Sequence, residues 1–151
     1  ELPLEFIKRF DLDIILLAGR YTLLDHTGLA EFLPECVERG VKIAIGGPYN
    51  SGILARDLSE PVTFDYEKAP EHLVARAQQL TEICVDHNVD LKAAALQFVL
   101  AHPAVATVIP GASSISELEQ NIAMVRQEIP PELWSDMRAN ELIPQNAPTP
   151  T

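Results

Sequence analysis

The chain has 151 residues, 47% of them hydrophobic, and carries 22 acidic side chains against 11 basic, a formal charge of −11. That length and apolar content make one globular domain with a substantial core, and a surface so acidic speaks against nucleic acid or a membrane as partner. No apolar run reaches the roughly 20 residues needed to span a bilayer, and the opening ELPLEFIKRF lacks a signal-peptide layout. The missing initiator Met suggests that the chain does not begin where translation began.

In chain order, Ile14-Ile15-Leu16-Leu17 is a short apolar run that ends at Ala18-Gly19. A helix follows, with Leu29, Phe32, Leu33, Cys36 and Val37 on one face and Gly40 as its stop. The second predicted strand is 41–45, closed by Gly46-Gly47-Pro48. The connection from Ser51 to Ala69 is longer than the usual two to six residues, and loops of that length are either functional or disordered. Pro70 then opens a helix with Leu73, Ala77, Leu80 and Cys84 in register, and Asp90 caps another that ends at His102-Pro103.

Val105 to Ile109 is the third predicted strand. It feeds Pro110-Gly111 and then Ser114-Ile115-Ser116-Glu117, a Ser three residues before a Glu, which is the capping-box pattern. The helix behind it carries Leu118, Ile122 and Val125 at helical spacing. A helix start of this kind, with unpaired backbone N–H groups and a favourable dipole, can hold a phosphate. The same pattern also opens helices that bind nothing. A last helix starts at Pro131-Glu132 with Leu133, Trp134 and Met137, and the Pro-rich tail 143–151 is expected on the surface or disordered, leaving 1–142 as the folded unit.

Cys36 and Cys84 lie on apolar helix faces with no CxxC and no His pair at ligand spacing. Both are expected to be buried thiols of a cytoplasmic protein, and no metal site is expected. Continuous apolar strands, each followed by a helix, call for a parallel sheet covered by helices. Three strands are too few for an open doubly wound sheet of five or six, or for a (β/α)8 barrel. The chain therefore reads as the C-terminal part of a larger α/β protein.

Three motifs in order resemble the C-terminal half of an aldo-keto reductase, a family of (β/α)8 TIM barrels that move hydride between a nicotinamide cofactor and a carbonyl or alcohol. Leu16-Leu17-Ala18-Gly19-Arg20-Tyr21-Thr22-Leu23-Leu24 resembles the sixth strand, and Ala44-Ile45-Gly46-Gly47-Pro48-Tyr49-Asn50-Ser51-Gly52-Ile53-Leu54 the seventh strand and its turn. Val108 to Asn121 resembles the eighth strand and its cofactor helix. The string LLAGRYTLLD is similar to one subgroup, bacterial sugar dehydrogenases of the D-threo-aldose (L-fucose or D-arabinose) 1-dehydrogenase kind and their pyridoxal dehydrogenase relatives, which oxidise C1 of an aldose to a lactone.

The resemblance implies that Gly47, Pro48, Tyr49, Ser51 and Gly52 run along the cofactor pyrophosphate. By the same likeness Gly111, Ala112, Ser113, Ser114 and Glu117 would surround the adenosine ribose, and Gln120 and Asn121 would hold the adenine. Tyr21 and His26 would face the substrate pocket. NAD is implied over NADP, because Gly111 and Glu117 stand where NADP-preferring members commonly present Lys or Arg. The chain departs from many members at Ala18, where they carry a carboxamide-binding Gln, and at Gly46, where they carry a Tyr that stacks on the nicotinamide.

No segment matches the first four strands, which supply the family's Asp, Tyr, Lys and His catalytic set. No catalytic residue is therefore expected in this chain, Tyr66 reads as an ordinary loop aromatic, and the 151 residues alone should be inactive. The implied partners are a small sugar or aldehyde substrate and the N-terminal half of the barrel. The alternative is a non-catalytic half-barrel, a nucleotide-binding or self-association module that pairs through open strand edges, possible homo-oligomers included.

Overall fold

The computed structural model describes residues 2–59, 62–64 and 67–150, so Tyr66 lies outside the described residues. Strands β1 (Ile14–Ala18), β2 (Lys42–Gly46) and a third, Val105–Ile109, form one parallel sheet with the second strand in the middle. Leu17 aligns with Ile45, and Ile45 with Val108 of the third strand. The short elements β3 (Thr63–Phe64) and β4 (Glu67–Lys68) make an antiparallel pair inside the long connection, so the third strand of the main sheet is β5. The three apolar runs pair in the order expected of successive right-handed crossovers.

Side chains alternate across this sheet. Leu17, Ile43 and Ile45 point to the helices and are buried, Ile43 and Ile45 completely. On the other face Leu16 is 61% exposed, Ile14 54% and Ile109 50%. Helices thus cover one face only. The continuous apolar runs predicted burial on both faces, and among the described residues nothing packs on the second.

Helix α1 (Leu2–Arg9) was not legible in the sequence: it buries Ile7 and leaves Leu2, Phe6 and nearby Phe10 exposed. Helix α2 (Phe32–Arg39) buries Phe32, Leu33 and Cys36 and stops at Gly40, whose φ of 72° lets its N–H reach the Cys36 and Val37 carbonyls. Val37, expected on the buried face, is 48% exposed. At 100° per residue it sits about a quarter turn from the centre of the stripe that Phe32, Leu33 and Cys36 define.

Helix α3 (Glu71–Asp86) buries Ala77, Leu80 and Cys84 as the spacing predicted. Helix α4 (Leu91–Leu100) is buried along most of its length, and its cap Asp90 accepts the Lys92 N–H at 2.8 Å. Helix α5 (Ile115–Arg126) departs from expectation, since Ile115, Leu118, Ile122 and Val125 are all exposed and Asn121 is its one buried residue. Helix α6 (Pro131–Ala139) buries Leu133, Trp134 and Met137.

The tail is not loose. Ile143 and Ala147 are each 2% exposed, and Arg138 Nη2 donates to the Ala147 carbonyl at 3.0 Å and the Thr149 hydroxyl at 2.8 Å. Arg76 of α3 donates to the Leu142 carbonyl at 2.6 Å. Proline content signalled a segment without regular structure, and arginine donors to its free carbonyls tie that segment down. Cys36 and Cys84 are free buried thiols, and burial raises both above the usual thiol range. Among the described residues no helix is long and apolar enough to cross a membrane.

Candidate functional site

The segment that leaves β2 coils tightly because four of its residues adopt the left-handed region: Gly47 at φ 60°, Asn50 at 47°, Ser51 at 56° and Gly52 at 97°. Asn50 N–H closes on the Gly47 carbonyl at 3.0 Å and Gly52 N–H on the Tyr49 carbonyl at 3.0 Å. A side chain at Gly47 would meet no atom within 4 Å, so its absence leaves the backbone open to a ligand. A Cβ on Gly52 would instead come 3.0 Å from Arg56 Nε, so the bare glycine lets that guanidinium lie across the turn.

Opposite this turn stands the start of α5. Ser114 has extended backbone angles, and its hydroxyl accepts the Glu117 N–H at 3.2 Å. The return arm of the expected capping box lands one residue early, because Glu117 Oε2 accepts the Ser113 N–H at 2.6 Å and the Ser113 hydroxyl at 2.9 Å. Those two bonds hold the Glu117 carboxyl below the ordinary carboxylate range, with Arg56 and Lys92 adding a weaker pull. Two N–H groups that a phosphate could have used are therefore already bonded.

Between turn and helix lies a cleft of about 530 Å³, within the range of small-molecule sites. Eleven of the twelve residues singled out along the sequence converge there: Gly47, Pro48, Tyr49, Ser51 and Gly52 on one side, and Gly111, Ala112, Ser113, Glu117, Gln120 and Asn121 on the other. Ser114 acts from behind, as the cap. Ala55, Arg56 and Lys92 complete the lining. Lys92 comes from the start of α4 and donates to Gln120 Oε1 at 3.2 Å. No motif marked it, since it meets α5 only through tertiary packing. The two walls are tied by Tyr49, whose hydroxyl donates to Asn121 Oδ1 at 2.7 Å.

Tyr21 and His26 lie elsewhere. The resemblance put both at the substrate pocket, but Tyr21 is fully buried with its ring 5.2 Å from Phe98 and 5.3 Å from His102. His26 packs edge-on to Phe98 at 5.8 Å. Both turn into the helix layer, since the chain folds back after β1 and the apolar bodies of these rings find the core there. Burial pushes the Tyr21 hydroxyl well above its ordinary value and lowers His26 to about 4, with nearby Arg76 acting in the same direction. Neither group is set up to exchange a proton near neutral pH.

Among the described residues no group of three or more His, Cys, Asp or Glu side chains could hold a metal. The cleft instead offers exposed backbone at Gly47 and Gly111, two cations and two carboxamides. That set suits a phosphorylated ligand carrying a hydrogen-bonding ring system.

A parallel βα repeat with a cleft beyond the carboxyl ends of its strands defines the class, an α/β protein built on the plan of barrels and open sheets. The Aldo/keto reductase family model matches residues 4–141, and the chain belongs to that family. It is 43% identical over 137 residues to pyridoxal 4-dehydrogenase of Microbacterium luteolum, covering 91% of this chain and 40% of that protein. It is 39% identical over 141 residues to D-threo-aldose 1-dehydrogenase of a Pseudomonas species, covering 91% and 42%. An aldo-keto reductase from Bacillus halodurans, in its apo form, superposes with a TM-score of 0.69 at 29% identity over 89% of this chain and 45% of that one. The chain spans about two fifths of the length of the curated relatives it matches.

Proposed function

We propose that this chain is the cofactor-carrying C-terminal part, strands six to eight, of an NAD(P)-dependent (β/α)8 aldo-keto reductase that oxidises an aldose at C1 to the lactone. The observation that carries the reading is the convergence of eleven motif residues on one cleft between the β2 turn and α5. Likeness to an aldose 1-dehydrogenase and a pyridoxal 4-dehydrogenase supports the substrate class. The open sheet face of Ile14, Leu16 and Ile109 supports a missing N-terminal half as partner.

Bound NAD(P) would supply the hydride acceptor. The chain's own part is to bind and orient it. The backbone from Gly47 to Gly52 would run along the pyrophosphate, with Arg56 and Lys92 offsetting its charge. Gly111, Ala112, Ser113, Ser114 and Glu117 would surround the ribose, and Gln120 and Asn121 the adenine. Glu117 favours NAD, because a fixed carboxylate repels a 2′-phosphate and accepts from a ribose hydroxyl. Proton transfer is assigned to residues of the other half, in a cytoplasmic setting where Cys36 and Cys84 stay reduced.

The test is NADH formation by the full-length protein with L-fucose, D-arabinose, D-galactose and pyridoxal. Turnover of an aldose is expected, while turnover of pyridoxal alone would overturn the assignment to sugars. The same open sheet face favours one rival, a non-catalytic module that pairs with a second copy. Activity of the full-length protein as a monomer would dismiss it.

A further inference from the structure

We infer that Tyr49 is a positioning residue, whose hydroxyl fixes the Asn121 carboxamide so that its amino group, and not its carbonyl, is offered to the ligand in the cleft. The inference rests on the adenosine reading of that cleft. A carboxamide has two ends of nearly equal shape and opposite hydrogen-bonding sense, and nothing in the residue itself decides which end faces a ligand. In this structure the oxygen end is the one that meets Tyr49. Tyr49 Oη and Asn121 Oδ1 are 2.7 Å apart across 72 positions of chain, in a buried pair that joins the turn after β2 to the middle of α5.

Asn121 is the one buried residue of α5, while the apolar residues of the same helix stay exposed. The helix is thus seated on this wall of the cleft through a polar contact. Burial, with Asp90 adding a smaller push, holds the Tyr49 hydroxyl protonated far above neutral pH, so it keeps the proton it gives to Asn121 Oδ1. Gln120 next along the helix is oriented in the same sense, because Lys92 can only donate and takes its Oε1. With a donor on each oxygen, both amides keep their N–H groups to offer a ligand. Such a pair suits the ring nitrogens of a purine, which accept, rather than its exocyclic amino group, which donates.

Tyr49 was expected to lie along the pyrophosphate. Its hydroxyl reaches the wall that would meet the base.

Three variants of the full-length protein test this by equilibrium binding of AMP and of nicotinamide mononucleotide. Tyr49→Phe keeps the ring and is expected to weaken AMP roughly 3- to 10-fold, the scale of one hydrogen bond, with nicotinamide mononucleotide unaffected. Asn121→Asp keeps an acceptor for Tyr49 and removes the amino group, so it should lose AMP affinity as fully as Asn121→Ala. Tyr49→Phe added to Asn121→Ala should cost nothing more. An Asn121→Asp variant that holds AMP better than Asn121→Ala would mean that the carbonyl faces the ligand and would overturn the proposal. So would a Tyr49→Phe protein that binds AMP normally, loses both probes equally, or adds its loss to that of Asn121→Ala. An Asn121→Ala protein with normal AMP affinity overturns the adenosine reading itself, and the inference with it.

Discussion

Glu117 reaches back four residues and, through a single oxygen, accepts both the backbone N–H of Ser113 at 2.6 Å and its hydroxyl at 2.9 Å. Those two bonds hold the carboxylate on the wall of the cleft. In the full-length enzyme the carboxylate should favour NAD over NADP by roughly 5- to 150-fold in kcat/KM. Glu117→Arg should narrow or reverse the kcat/KM ratio of the two cofactors. A ratio favouring NADP in the unaltered enzyme would show that Arg56 or Lys92 reaches the 2′-phosphate and outweighs Glu117.

Ser114 and Ser113 make separable contributions to the start of α5. Ser114→Ala removes the hydroxyl that caps Glu117 N–H, which should lower stability by about 1 kcal/mol. Ser113→Ala keeps the backbone bond to Glu117 and loses only the hydroxyl bond, so its effect on the denaturation midpoint should be smaller. Equal losses would mean that the helix start is held by something other than the Ser114 cap.

His26 links stability to pH. Burial first, then Arg76, lowers its folded pKa from 6.5 to about 4. The unfolded chain therefore binds the proton more tightly, and the stability from burying a neutral ring is complete above pH 6.5. It is lost as pH falls from there through about 4, on the order of 3 kcal/mol in all. His26→Phe should flatten that part of the stability curve, measured by urea denaturation between those limits. An unchanged slope would place the titration on other groups.

Phe98 joins three rings, Tyr21 and Trp134 buried and His26 partly so, with centroids 5.2 Å from Tyr21, 5.8 Å from His26 and 6.3 Å from Trp134. Phe98→Ala should cost about 3–5 kcal/mol, the range for emptying a buried aromatic site. A loss below about 1 kcal/mol would show that the surrounding helices close the gap.

The isolated 151-residue chain should show no dehydrogenase activity and should bind a hydrophobic dye or self-associate, because Leu16 is 61% and Ile115 78% exposed. Adding the remainder of the full-length protein in trans should suppress both behaviours. NADH formation from any aldose by the isolated chain would show that it carries proton-transfer groups of its own.

Much of the architecture was legible because the signals were local. Runs such as Val105 to Ile109 and the stops at Gly40 and Gly46-Gly47 bound three strands and most of the helices to within a residue or two. Their order and parallel sense follow from chain connectivity. The turn from Gly47 to Gly52 and the Ser114 cap were also local, since backbone angles and one short side chain make them.

What tertiary structure alone decided is which surface each pattern serves. Leu118, Ile122 and Val125 have the spacing of a buried stripe, yet only the packing shows that Asn121 is the residue this helix buries. Tyr21 and His26 follow a strand end, and whether such rings face the sheet mouth or the helix layer depends on Phe98 and His102, some 70 to 80 residues away. Lys92 and Tyr49 meet Gln120 and Asn121 across 28 and 72 positions of chain. A periodic pattern records how hydrophobic a face is, and says nothing of which distant polar group will be laid against it, because that contact is set by the crossing of whole elements.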